Sequence, residues 1–180
     1  FCCSNDVKTI DLILFLHIGT TKWFPDLNKW AQLIQRYLKD NGQFVIVDFH
    51  PIFWTFDDRY ESLAAYSYFN QGPSKLKQLG KTKKIRIENP FVVVEYSKGT
   101  YTDQQASIEH KLIRWNHSLA DIFTVLSSNK LRIDVFKEFD SVPYALPNMI
   151  QSQDDQQYRF KNFERKLPLS YAIRATKSVI

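Results

Sequence analysis

Asp48 and His50 are the residues of this 180-residue sequence best spaced for acid–base chemistry. They flank Phe49 at the end of an apolar run, Phe44–Phe49, and extended backbone puts alternate side chains on one side. A carboxylate so placed could orient an imidazole as a general base; the alternative is a local hydrogen bond at a loop. His17 ends a second apolar run, Ile10–Leu16, and is followed by Ile18, Gly19 and Thr20. His17 could serve as a base or be a buried histidine bonded to backbone. Gly19 would let backbone approach a ligand closely. With His110 and His117 the sequence has 4 histidines, and none shows, with the acids, the local spacing of a zinc site. No metal is therefore expected. The 2 cysteines, Cys2 and Cys3, are adjacent, which suits neither an ordinary disulfide nor zinc, so a reducing cytoplasm is the expected setting. No serine nucleophile elbow or phosphate loop is present.

The elements that must position these residues form one strand–helix–strand unit, Ile10–Pro51. Pro25 and Asp26 mark the helix start, because proline tolerates the first turn and an acid there can cap free N–H groups. Leu27, Trp30, Ala31, Leu33, Ile34, Tyr37 and Leu38 then recur at helical spacing. Gly42, assisted by Asn41 or Asp40, is expected to supply a left-handed stop. Two apolar runs joined by a helix imply parallel strands covered on both faces and a right-handed crossover. Such sheets bind ligands at the carboxyl ends of their strands. His17–Thr20 and Asp48–Pro51 are therefore the first candidates for a site.

The remainder reads as an insertion followed by a return to α/β rhythm. Residues 50–115 are expected to form antiparallel strands and loops lying over the strand ends as a lid, with strands at Phe91–Tyr96 and Glu109–Trp115. Ser118 and Asp121 approximate a capping box. Leu131–Phe139 alternates, with Leu131, Ile133, Val135 and Lys137 on one face and Arg132, Asp134, Phe136 and Glu138 on the other. Leu167–Thr176 is a final strand, expected to pair with it as an antiparallel hairpin at a sheet edge. Lys75–Arg86 carries six basic residues and no acid. Aromatics are not interleaved within it, so a solvated lid is expected and nucleic-acid binding is not. The formal charge of +5 is compatible with either. No stretch approaches the roughly 18 apolar residues of a membrane span, and no membrane partner is expected. Aromatic content of 15% is high, from core packing or from a pocket for an organic ligand.

The order of these pieces resembles the carboxyl-terminal two-thirds of a class I S-adenosylmethionine-dependent methyltransferase. Ile10-Asp11-Leu12 opens a run similar to that family's fourth strand. LKDNGQFVIVDF resembles its "LKPGG" helix end and fifth strand. RWNHSLADIFTVLSSNKLRIDVFKEF resembles the "HSL" helix of its small-molecule members and the strand that follows. The resemblance implies a Rossmann-like, mostly parallel α/β sheet with an antiparallel terminal hairpin, in a single domain spanning residues 1–180.

It also implies S-adenosylmethionine as cofactor and a small-molecule methyl acceptor. Asn5 and Asp6 would follow the third strand and meet the adenine. His17, Ile18, Gly19 and Thr20 would follow the fourth, where cofactor and acceptor meet, and Trp23 would cover the adenine or pack on the helix. Tyr66, Tyr68, His110, Trp115 and His117 are the candidates for the acceptor pocket. The family's glycine-rich loop and the acid that binds the ribose are absent; both belong before Phe1. The expectation is therefore a partial domain holding at most half of the cofactor site, as an amino-terminal truncation or a degenerate member. An exposed sheet edge would then favour oligomer or partner contacts. Two other functions fit the same residues: a non-catalytic methyltransferase-like partner subunit, and a basic nucleic-acid-binding module using Lys75–Arg86.

Overall fold

A computed structural model of the chain describes residues 9–15, 19–57, 60–61, 63–66, 68, 92–98 and 109–179. In chain order the elements are β1 (Ile10–Phe15), a 3₁₀ turn (Thr21–Trp23), α1 (Leu27–Tyr37), β2 (Leu38–Phe49) and a second 3₁₀ turn (Pro51–Thr55). Then come β3 (Val92–Lys98), β4 (Glu109–Trp115), α2 (Leu119–Ser128), β5 (Leu131–Phe139), β6 (Met149–Gln151), β7 (Tyr158–Phe160) and β8 (Ser170–Lys177).

Four strands make the main sheet, in the order β1-β2-β8-β5. β1 and β2 are parallel, with Ile13 beside Phe44 and Phe15 beside Ile46. β8 is antiparallel to both β2 and β5. Among the described strands β1, β2 and β5 thus share one direction and β8 runs against them, slotted between β2 and β5. The expected terminal hairpin is present with this refinement: the last strand lies inside the sheet and β5 forms its edge. β3 and β4 pair antiparallel, from Val92 beside Trp115 to Lys98 beside Glu109, as the insertion was expected to do.

Both helices pack on one face of the main sheet. Leu27, Trp30, Ala31 and Ile34 of α1 meet Ile122 and Leu126 of α2 over Phe44, Ile46, Ile173 and Ala175. At roughly 25 cal/mol per Å² of apolar area removed from water, this cluster is the main source of the sheet's stability. The helices start where their caps dictate. Asp26 accepts the Lys29 N–H at 3.0 Å, and Ser118 and Asp121 form a complete capping box. Leu33 and Tyr37, in phase with the apolar stripe, are instead 52% and 43% exposed, because the face that meets the sheet is narrower than the stripe. The other face of the sheet is covered less than the apolar runs imply. Val45 and Val47 are only half-buried, and Ile10 and Leu12 are 46% and 50% exposed.

Two local expectations are corrected. The left-handed residue after α1 is Asn41, at φ 62°, and not Gly42. Gly42 is required by close approach: a Cβ there would lie 2.8 Å from the Lys39 carbonyl oxygen and 3.2 Å from that of Asp11. In β5 the alternation breaks. The register slips between Ile133 and Val135, so Ile133 pairs with Ala175 but Phe136 pairs with Ile173. A bulge at Asp134 moves every later side chain to the opposite face. Phe136 therefore packs edge-on against Phe123 of α2, with ring centroids 4.9 Å apart.

A second core caps the carboxyl end of β2. Phe49, Phe53 and Phe56 meet Val142, Phe160 and Leu169 there. The β6–β7 hairpin that supplies Phe160 is tied down by Arg159, which donates to Asp140 at 2.8 Å and to Asp155 at 2.6 Å.

Candidate functional site

The carboxyl ends of β1 and β2 are joined by one buried carboxylate. Asp48, 1% exposed near the end of β2, turns toward the loop that leaves β1. Its Oδ1 accepts the backbone N–H of Gly19 and that of Phe49 at 2.7 Å. Its Oδ2 accepts the Thr21 N–H at 2.8 Å and the Thr21 hydroxyl at 2.7 Å. Four donors thus neutralise a charge that would otherwise be very costly to bury. Gly19 sits at φ 94°, a conformation that side-chain-bearing residues rarely adopt. Asp48 therefore fixes the backbone of the β1 loop. Tyr171 of β8 is fully buried, and burial together with the Asp48 charge pushes its phenol well above the usual range.

His50 is separate from Asp48. Its Nδ1 accepts the Ile52 N–H at 3.1 Å, capping the 3₁₀ turn, and its Nε2 donates to Glu138 of β5 at 2.9 Å. Asp48 and His50 flank Phe49, yet they bond different partners. Of the two arrangements open for this pair, His50 adopts the loop-capping hydrogen bond. Burial lowers the His50 pKa, and the Glu138 carboxylate opposes that shift.

His117 stands at the exit from β4, and its Nε2 donates to the Phe24 carbonyl at 2.8 Å. Burial lowers its pKa, partly offset by that bond and by Asp121. With the proton on Nε2, Nδ1 is left as an acceptor. The ring lines a cleft of about 410 Å³ between the start of α1 and α2, shared with Asp26, Asn28, Asp121 and Thr124.

Trp115 is half-buried at the end of β4. Tyr66 and Tyr68 are half-buried as well, and the Tyr66 N–H donates to the Thr55 carbonyl at 3.0 Å. Thr20 is half-buried and Trp23 is 43% exposed. His110 has only its backbone place in β4, opposite Ser97. Asn5, Asp6, His17, Ile18 and the basic run Lys75–Arg86 lie outside the described residues. Among the described residues no cluster of His, Cys, Asp and Glu could hold a metal ion. No helix there is long and apolar enough to cross a membrane.

Three contributors carry no motif in the sequence. Lys22 lies over the ring of Trp54, with Nζ 4.4 Å from the centroid. Glu138 is the partner of His50. Asn116, beside His117, buries both polar side-chain atoms without a hydrogen-bond partner. The only sequence signal for Lys22 and Trp54 is their position in the aromatic stretches that follow the two apolar runs.

The sheet order, with one reversed strand inserted beside the edge, finds a match among solved structures. The chain aligns over 99% of its length with 66% of a protein from Listeria monocytogenes assigned as an S-adenosylmethionine-dependent methyltransferase, at 12% identity and a TM-score of 0.52. The fold is that of the S-adenosylmethionine-dependent methyltransferases. An S-adenosylmethionine-dependent methyltransferase from Mesorhizobium loti aligns with 94% of this chain over 62% of its own, at 14% identity and a TM-score of 0.49. One from Clostridium acetobutylicum aligns with 98% of this chain over 62% of its own, at 11% identity and a TM-score of 0.48. The chain thus spans less than two thirds of the length of these proteins. No family model and no curated protein matches it.

Proposed function

We propose that this chain carries the carboxyl-terminal part of a methyltransferase catalytic domain that uses S-adenosylmethionine to methylate a small-molecule acceptor. The supporting observation is the loop after β1, which Asp48 pins in place with Gly19 in a left-handed conformation at the carboxyl end of a parallel strand pair. Gly19 itself is buried, with Lys22 and Phe49 against its open side, so the pinned turn would serve by setting the strand end at which sheets of this kind take their ligands. Gly19, Thr20 and Thr21 are the described residues that would border the cofactor. Asn5, Asp6, His17, Ile18 and Trp23 complete the proposed contacts.

When bound, S-adenosylmethionine supplies an electrophilic methyl group carried on a sulfonium. The protein's part is to position the partners and exclude water. Asp48 is a positioning residue, because it acts through Gly19 and Thr21. His50 holds the 3₁₀ turn against β5, and the aromatic core above β2 closes that side to water. His117 is the described candidate for a base, since burial lowers its pKa and its ring lines the cleft. Trp115, His110, Tyr66 and Tyr68 are the further acceptor candidates, and residues 50–115 are the proposed lid.

Isothermal titration of S-adenosylmethionine tests this reading in two proteins: the chain itself, and a form extended at its amino end by the upstream reading frame. Saturable binding by the extended form, at least tenfold weaker in the chain alone, is expected. Absence of binding by the extended form would contradict the proposal. One observation favours a second reading, a non-catalytic methyltransferase-like partner subunit: the exposure of Ile10 and Leu12 on β1. That reading predicts a stable oligomer on a sizing column and no cofactor binding by either form.

A further inference from the structure

His50 joins two elements through its two ring nitrogens, and each bond fixes the state of the other. Nδ1 accepts the Ile52 N–H at 3.1 Å, so it carries a lone pair and caps the 3₁₀ turn Pro51–Thr55. Nε2 lies 2.9 Å from the Glu138 carboxylate of β5, so it carries the proton. The backbone N–H of His50 donates to the Leu169 carbonyl at 3.0 Å, which anchors the residue at its own end. The ring is buried, while the Glu138 side chain is 45% exposed and opens the pair to solvent. A neutral imidazole with its proton on Nε2 is the form that satisfies both partners.

A second proton reverses one of these bonds. An imidazolium donates from both nitrogens, so Nδ1–H would face the Ile52 N–H, donor against donor. The bond to Glu138 becomes charge-assisted and strengthens. The ring therefore stays on β5 and the turn gives way. The far end of the turn keeps its own ties: the Thr55 hydroxyl donates to the Ile52 carbonyl at 2.7 Å, and the Tyr66 N–H to the Thr55 carbonyl at 3.0 Å. Release thus starts at Pro51–Phe53. Phe53 stacks on Phe49 at 4.1 Å and on Phe160 at 5.7 Å, so the aromatic core above β2 loosens with it. Among the described groups, Glu138 alone acts on the ring through its charge. Asp48, on the same strand, receives four other donors. Tyr171 of β8 stays un-ionised, because burial and the Asp48 charge both push its phenol up. The turn itself has no titratable side chain. Burial outweighs the opposing carboxylate, so the proton is taken up below the ordinary histidine value near 6.5.

We propose that His50 is an acid-sensitive latch: neutral, it ties the Pro51–Thr55 turn to β5; protonated, it remains on Glu138 and frees the amino end of the turn, opening the aromatic core at the carboxyl end of β2. The two states differ by one proton on Nδ1 and one lost cap. Opening an irregular core leaves the periodic sheet intact, so the chain stays folded while the latch is released. The latch does not depend on the methyltransferase reading, since no ligand takes part in it.

Long-range ¹H–¹⁵N spectra of the ¹⁵N-labelled chain, recorded downward from pH 7.5, read the His50 ring directly. The expected result is a neutral ring protonated on Nε2 at pH 7.5 that titrates below pH 6.5. The amide signals of Ile52 and Phe53 should move with the same midpoint. Their hydrogen-exchange protection, corrected for the intrinsic pH dependence, is expected to fall at least fivefold across that step, while that of Ile46 and Ile173 holds. His50→Asn keeps an acceptor for the cap and does not titrate, and it is expected to abolish the loss. Glu138→Gln removes the anchoring charge and is expected to move the ring's midpoint further down. A neutral ring protonated on Nδ1, a ring that does not titrate before the chain unfolds, or a midpoint unmoved in Glu138→Gln would each overturn the proposal. So would Ile52 and Phe53 amides that keep their protection as the ring titrates, or the same loss of protection in His50→Asn.

Discussion

The two cores of this protein are built on opposite plans. The core between helices and sheet is mainly aliphatic and is assembled from periodic elements: Leu27, Ile34, Ile122, Leu126, Ile173 and Ala175 each sit in phase with a helix or strand. The core above β2 is mainly aromatic, and its members come from a 3₁₀ turn, a short hairpin and loops, from Phe49 to Leu169. The first makes the fold. The second covers the carboxyl end of β2, where a ligand would lie, and is stitched together by side chains rather than by regular backbone pairing. Regular packing ties stability to the whole sheet. Irregular packing around a site can open without dissolving the sheet, since local unfolding draws on the least regular parts.

The largest effects should come from cutting a ring out of each core. Phe44→Ala and Phe53→Ala are each expected to cost about 3–5 kcal/mol in denaturant unfolding, because each leaves a large cavity. Their hydrogen-exchange patterns should differ. Phe44→Ala is expected to accelerate exchange throughout β2 and β8. Phe53→Ala should accelerate it chiefly at the 3₁₀ turn Pro51–Thr55 and at β7, with the middle of β2 still protected. Uniform acceleration in both variants would show that the two cores open as one unit.

Asp48 links the cores and comes next. Asp48→Ala strips the Gly19 and Thr21 N–H groups of their acceptor, and a loss of about 2–4 kcal/mol is expected from groups left buried and unpaired. Asp48→Asn should lose less, since one oxygen still accepts. Equal losses for the two variants would mean that loop geometry does not depend on these bonds. Gly19→Ala is expected to cost about 1–2 kcal/mol, from the left-handed backbone; the space itself admits a methyl group, with Phe49 Cδ2 3.6 Å away.

The smallest effect is a slope with pH. His50 and His117 have pKa values lowered by burial, so the unfolded chain binds their protons more readily than the folded one. Their contribution to stability is complete above the ordinary histidine range near pH 6.5 and falls as pH drops through that range toward their folded values. Thermal melts between pH 7.5 and 5 should show a declining midpoint, and His50→Asn with His117→Asn should flatten the decline. Asparagine preserves the cap at residue 50, so a slope unchanged in the double variant would assign the pH response to other groups.

The same contrast decides how much was legible in the sequence. The strand–helix–strand unit, the Asp26 cap and the Ser118–Asp121 box follow from spacing and residue type alone, because each depends on neighbours within one or two turns. The reversed β8 was expected as a partner for β5, but its place between β2 and β5 depends on long-range pairing. The bulge at Asp134, which turned Phe136 inward, has no local signal: Asp134 alternates with apolar residues as any strand acid would. The site was half legible. The carboxyl ends of two parallel strands pointed to Gly19, Thr20, Asp48 and His50. The bonds made by Asp48 and His50 were not readable, since Thr21 and Glu138 are reached only through the folded sheet. Lys22 and Trp54 were hidden among aromatics whose packing is not periodic.

The central claim is that the loop fixed by Asp48 borders the cofactor of a methyltransferase. Its most direct test is amide chemical-shift mapping of S-adenosylhomocysteine on the amino-extended protein. The account predicts the largest shifts within this chain at Gly19, Thr20 and Thr21, with smaller ones at the Trp23 and Trp54 indoles. Saturable binding that leaves the amides of Gly19–Thr21 unmoved would contradict it.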